Sequence, residues 1–141
     1  VKGVCVHLNE LLAVVGSYVI IPVMMIVFGA VYSKNPPKQI NHLSGYRTPM
    51  SKKNLDTWHF AHLYFGKLWL KYGVVLLCVT ILTSWPVFKV SGYPQGYLVH
   101  LFLVAIQMIF VFTPIILTER ELRRRFDRNG KPKSKDPSQL P

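Results

Sequence analysis

Two long stretches of this chain carry almost no charge, and they limit what it can fold into. Residues 11–32 contain no Asp, Glu, Lys or Arg, and residues 72–118 contain only Lys89. A bilayer core is crossed by about 20 apolar residues in a helix. The first stretch meets that length, and the second is long enough to cross twice with a short turn between. A soluble domain of 141 residues would expose too much of this surface to water. Charged residues make up 16% of the chain, below the roughly one quarter usual for soluble domains.

The expected fold class is therefore an all-α integral membrane protein with three transmembrane helices, at residues 11–32, 68–85 and 97–118. The first is too long in its apolar part for a cleaved signal peptide, so a retained span is expected. The second carries Lys71, with Lys67 just before it. Both can bury their methylene stems and lift their ammonium groups to the interface. Gln107 lies near the middle of the third span, where a helix–helix hydrogen bond is its expected role.

Basic residues orient the spans. Residues 33–67 hold Lys34, Lys38, Arg47, Lys52, Lys53 and Lys67, and the tail after Thr118 holds eight more. Residues 1–10 offer only Lys2, and residues 86–96 only Lys89. The expected topology puts the N-terminus outside, with the long loop and the tail in the cytoplasm. Such a surface would meet anionic headgroups of membrane lipids. The arginine run after Thr118 accompanies no recognition motif, so no specific nucleic acid is expected.

The loop contains more than topogenic charge. Asn35-Pro36-Pro37 stops the first helix, because proline supplies no N–H. Gly45 permits a turn, and Thr48-Pro49 keeps the chain extended. Ser51 or Asn54 can cap the next helix, and Asp56 then sits in its first turn, where the helix dipole favours an acid. Leu55, Trp58, His62, Phe65 and Trp69 recur at helical spacing and form one stripe. An interfacial helical segment leading into the second span is expected. Arg47 can fork onto a carboxylate, with Asp56 and Glu119 as candidate partners.

After the third span, Glu119 with Arg123 and Glu121 with Arg125 have i, i+4 spacing. A short cytoplasmic helix is expected over residues 119–130, ending at Asn129-Gly130. Residues 131–141 read as disordered.

No catalytic set is apparent, so the chain is not expected to be an enzyme. The acids avoid the spans. His42, His59 and His62 are too few for a structural zinc site, and no cysteine lies near them. Cys5 and Cys78 make no disulfide framework. No cofactor is expected.

The residues Gly45, Tyr46, Arg47, Thr48, Ser51, Asn54, Trp58, Ala61, His62, Phe65, Gly66 and Lys67, in that order, resemble the signature of the SdpI family. The tail "TERELRRRFDRNGKPK" resembles the family's ending, and the likeness covers roughly residues 40–133. The resemblance implies a non-enzymatic, multi-pass protein of the bacterial cytoplasmic (inner) membrane. Family members of this kind protect a producing cell from a secreted membrane-active peptide toxin, and the founding type also captures a repressor at the membrane. Larger members have more spans ahead of the signature, so either role can be missing here. The alternative from composition is a small transporter or channel subunit, which would need a homo-oligomer to enclose a path. It is disfavoured because the spans lack charged linings.

Overall fold

A computed structural model describes residues 2–41, 43, 45–90 and 95–133, with side chains for residues 16, 18–41, 43, 45–83 and 101–133. His42 and Ser44 of the loop, residues 91–94, and residues 134–141 lie outside that set. The described chain is all-helical: α1 is Lys2–Lys34, α2 is Leu55–Val90 and α3 is Gln95–Arg125. α2 is the central element. It packs closely on α1 and less extensively on α3, while α1 and α3 barely touch.

The helix ends follow from the residues. α1 stops before the two prolines, and its last bond is from Asn35 N–H to the Val31 carbonyl, 2.8 Å. α2 begins after Asn54, whose Oδ1 accepts the Thr57 N–H at 2.9 Å. The Thr57 hydroxyl in turn accepts the Asn54 N–H at 3.2 Å. Asn54 is thus the cap, in a reciprocal arrangement like a capping box. The segment expected to be an interfacial piece is continuous with the rest of α2. α3 likewise runs unbroken to Arg125, five residues short of the expected stop. A turn replaces the last stretch. Asp127 accepts the N–H groups of Asn129 and Lys131, each at 2.8 Å, and Lys133 N–H returns to the Arg125 carbonyl at 2.8 Å. These backbone donors pull the Asp127 carboxyl below the usual carboxylate range. Residues 131–133 therefore belong to an ordered turn.

α1 and α2 cross at small residues. A Cβ on Gly66 would lie 2.5 Å from the Ser33 nitrogen and 2.8 Å from the Tyr32 carbonyl carbon. A Cβ on Gly29 would run into the backbone of Leu70. Close backbone approach at small residues is how helices associate where no water drives them together.

The bundle is polar at chosen interior points and apolar outside. Gln107 and Thr118 are buried, whereas Leu82 is 75% exposed and Ile109 64%. Among the described residues, two helical stretches, Leu55–Thr83 and Leu101–Arg125, are long and apolar enough to cross a membrane, and the part of α1 with described side chains contributes a further apolar stretch, Tyr18–Lys34.

Gln107 has the expected interhelical role. Its Nε2–H donates to the Tyr18 carbonyl at 3.0 Å. Tyr18 is four residues before Pro22, the position whose missing N–H leaves that carbonyl without its helical donor. Gln107 therefore fills a vacancy that Pro22 creates. Gln107→Leu should destabilise the bundle by about 1 kcal/mol. In a Pro22→Ala background, where the helix can supply its own donor, the loss should shrink. Thermal unfolding of the four variants in detergent measures this coupling.

Candidate functional site

The signature turn lies across the ends of the helices, and His62 holds it there. The Tyr46 N–H donates to His62 Nε2 at 3.0 Å. His62 Nδ1 is 2.8 Å from the Trp58 carbonyl one turn back on α2. A nitrogen that accepts an N–H carries no proton, so the network assigns the neutral, Nδ1-protonated imidazole, which donates to Trp58. Both side chains are 0% exposed. Their rings are 4.2 Å apart, and Tyr32 of α1 meets His62 edge-on at 5.4 Å. The Trp58 indole N–H donates to the Pro37 carbonyl at 2.9 Å, which ties down the start of the loop.

Gly45 makes this approach possible. Its φ is +100°, a region L side chains rarely adopt, and a Cβ there would fall on His62 Nε2. Tyr46 then reaches α3, where its hydroxyl donates to the Ile115 carbonyl at 3.0 Å and its ring packs on Phe65 at 5.0 Å. Burial pushes this phenol well above its ordinary range, and nearby Glu119 adds to the effect. In the contact with Ile115 it acts as the donor.

Ser51 closes the turn. It is fully buried, and its hydroxyl contacts the carbonyls of Tyr46 and Thr48, each at 3.0 Å. Thr48 in turn accepts the Ser51 N–H on its hydroxyl at 3.2 Å. Thr57, also buried, donates to the Ser51 carbonyl at 3.2 Å. Ser51 looks like a surface residue beside two lysines, and its burial could not be read from that context. Thr57 left a signal, because Asn54-x-x-Thr57 has the spacing of a reciprocal cap.

The tail joins the same assembly. Asn54 Nδ2–H donates to the Gly130 carbonyl at 2.7 Å. Gly130 has φ +81°, and a Cβ there would lie 2.8 Å from that Nδ2. Phe126 and Leu122 are buried against Tyr46, Met50, Phe60, Ala61 and Phe65. Arg125 sits over the Phe60 ring, 5.1 Å from its centre. Loop, α2 and tail thus share one aromatic core.

Of the residues singled out in the sequence, Gly45, Tyr46, Thr48, Asn54, Trp58 and His62 converge here. Gly66 serves the α1–α2 crossing instead. Asp56 and Lys67 are exposed, and so is Leu55, which stands at the helix start before α2 enters the bundle. Glu119 binds Arg123 at 2.8 Å through Oε1. Glu121 binds Arg124 and Arg125, each at 2.7 Å. Arg47 is exposed and borders a cavity of about 470 Å³ that residues of the turn and of all three helices line.

Among the described residues no three His, Cys, Asp or Glu side chains come together as metal ligands. The assembly is built from neutral hydrogen bonds and ring packing, with its polar groups engaged in holding the loop.

No curated protein and no solved structure matches the chain. A protein-family model does, over residues 38–118, the stretch from the loop through α2 to the end of the apolar part of α3. Its span takes in Gly45, Tyr46, Trp58 and His62, the residues on which the site is built. With more than half its length matched and two helices able to cross a membrane, the chain is a membrane protein that belongs to the SdpI/YfhL protein family.

Proposed function

We propose that this protein acts as an immunity protein, protecting the cell from a membrane-active peptide toxin by binding it or by signalling its presence. The observation that carries this reading is the family match over residues 38–118, which includes the residues that build the site. A buried, neutral hydrogen-bond network suits a rigid docking face better than it suits catalysis. In this reading all three helices span the inner membrane, the N-terminus is outside, and the loop and tail form the cytoplasmic face. The distribution of Lys and Arg supports that orientation. In the same reading, this face would also serve capture of a repressor or assembly into a homo-oligomer.

The test is growth of a sensitive bacterial strain in purified sporulation-delaying peptide, with and without this protein in its membrane. Protection is the expected result. Equal inhibition, with the protein present in the membrane fraction, would contradict the proposal.

Arg47 provides a sharper test within that assay. The expected fork onto Glu119 is not formed, since the Glu119 Oε1 holds Arg123 and its Oε2 has no partner among the described residues. The Arg47 guanidinium is proposed to fix the exposed side of the signature turn, with Asp56 as the remaining candidate acid. Arg47→Lys should then reduce protection by about tenfold, the scale of a lost charge-assisted hydrogen bond. Lys52→Arg should have little effect, because topogenic charge does not depend on side-chain geometry. Wild-type protection by Arg47→Lys at equal protein amount would make Arg47 one more topogenic charge.

A further inference from the structure

The cavity beside the signature turn has an unusual wall. Gly45, Tyr46, Arg47 and Thr48 line one side, and the other sides are Phe28 and Tyr32 of α1, Phe65 and Trp69 of α2, and Ile115 of α3. Its volume of about 470 Å³ lies within the range of small-ligand pockets, about 300–1,000 Å³. Most of the lining is aromatic or aliphatic, and among the described residues Arg47 is its only charged one. The wall is also continuous with the apolar exterior. Phe28 is 37% exposed and neighbours the exposed Met24, Val27 and Val31 on α1. Arg47 is exposed on the loop side. The Trp69 indole N–H, in the same lining, is buried with no acceptor among the described residues.

We propose that this cavity binds one molecule of an anionic phospholipid. An acyl chain enters from the bilayer side over Phe28 and lies against Phe65 and Trp69, and the phosphate sits at Arg47. A glycerol ester carbonyl is a suitable acceptor for the Trp69 N–H. The polarity runs in the order a lipid requires, from apolar side entry to a cationic rim. A water-soluble anion would have no use for the aromatic wall, and an uncharged apolar segment would have none for the arginine. Arg47 has five N–H donors, so a phosphate can share it with a carboxylate of the chain. The inference is independent of the immunity reading, since a lipid here would brace the turn whatever the protein protects against.

The test uses the full chain purified in neutral detergent. Equal amounts of dioleoyl phosphatidylglycerol and dioleoyl phosphatidylcholine are added, and retained lipid is counted by native mass spectrometry. Wild type should retain phosphatidylglycerol about fivefold over phosphatidylcholine, the scale of one interfacial cation acting on an anionic headgroup. Arg47→Gln should remove the preference, and Phe28→Trp, which fills the entry, should reduce retention of both lipids. Inorganic phosphate should not compete. Equal retention of the two lipids by wild type, or retention of neither, would overturn the proposal. So would a preference that survives both variants, because it would then come from the general basic surface. Displacement by inorganic phosphate would make this a free-anion site and overturn it too.

Discussion

Gly45→Ala is expected to be the most damaging Gly→Ala change among the described glycines. The new Cβ would occupy the space of His62 Nε2, and the residue would have to keep φ near +100°. A non-glycine residue in that region costs about 1–2 kcal/mol. Separating Tyr46 from His62 leaves a buried N–H without an acceptor, which costs about another 1–3 kcal/mol. The sum is a large part of a typical folding free energy, so the amount of protein in the membrane should fall several-fold. The apparent Tm should drop by roughly 10 °C or more. Gly16→Ala is the control. A Cβ on Gly16 meets nothing within 4 Å among the described residues, so that variant should behave as wild type. Comparable stability of the two variants would mean that the Gly45–His62 approach does not exist in the folded protein.

The second large effect is expected at the crossing of α1 and α2. Gly66→Ala places a methyl against the backbone of Tyr32 and Ser33, atoms that move only if the whole helix moves. Overpacking of this kind costs about 1–3 kcal/mol. Gly29→Ala should cost a similar amount, since its Cβ would meet Leu70 and the Gly66 carbonyl. The two changes press on one crossing, so a single separation of the helices accommodates both. The double variant should therefore lose clearly less than the sum of the single losses. Unfolding in detergent measures the three variants, and strict additivity would show that the crossing is not shared.

What the sequence could reveal divides along physical lines. The long apolar stretches were legible because charge is absent from them, and helix ends were legible where proline or Asn marks them, as at Pro36 and Asn54. Gln107 was legible as an interhelical donor because an amide inside an apolar run needs a partner. Its acceptor was not, since Tyr18 is 89 positions away. The same holds for Asn54 and Gly130, 76 positions apart. Helical spacing put Leu55 in the stripe with Trp58, but periodicity does not say where along its length a helix enters the bundle. Ser51 between Met50 and Lys52 carries no sign of burial. Only the path of the turn, set by Gly45 and Thr48, brings its hydroxyl under the Tyr46 carbonyl. His62 had the clearest position in the stripe, yet its role depends on a loop residue meeting it from outside the helix.

The most direct measurement is therefore the state of the His62 ring. Histidine labelled with ¹⁵N in the full chain, with His62 assigned by comparison with His62→Gln, distinguishes three forms by NMR at neutral pH. The expected result is a neutral ring with the proton on Nδ1 and a bare Nε2 that accepts from Tyr46, the reverse of the tautomer free histidine prefers. That signal should disappear in Gly45→Ala and persist in Lys52→Arg. A proton on Nε2, or an imidazolium, would contradict the hydrogen bond on which the loop, the helices and the tail are assembled here.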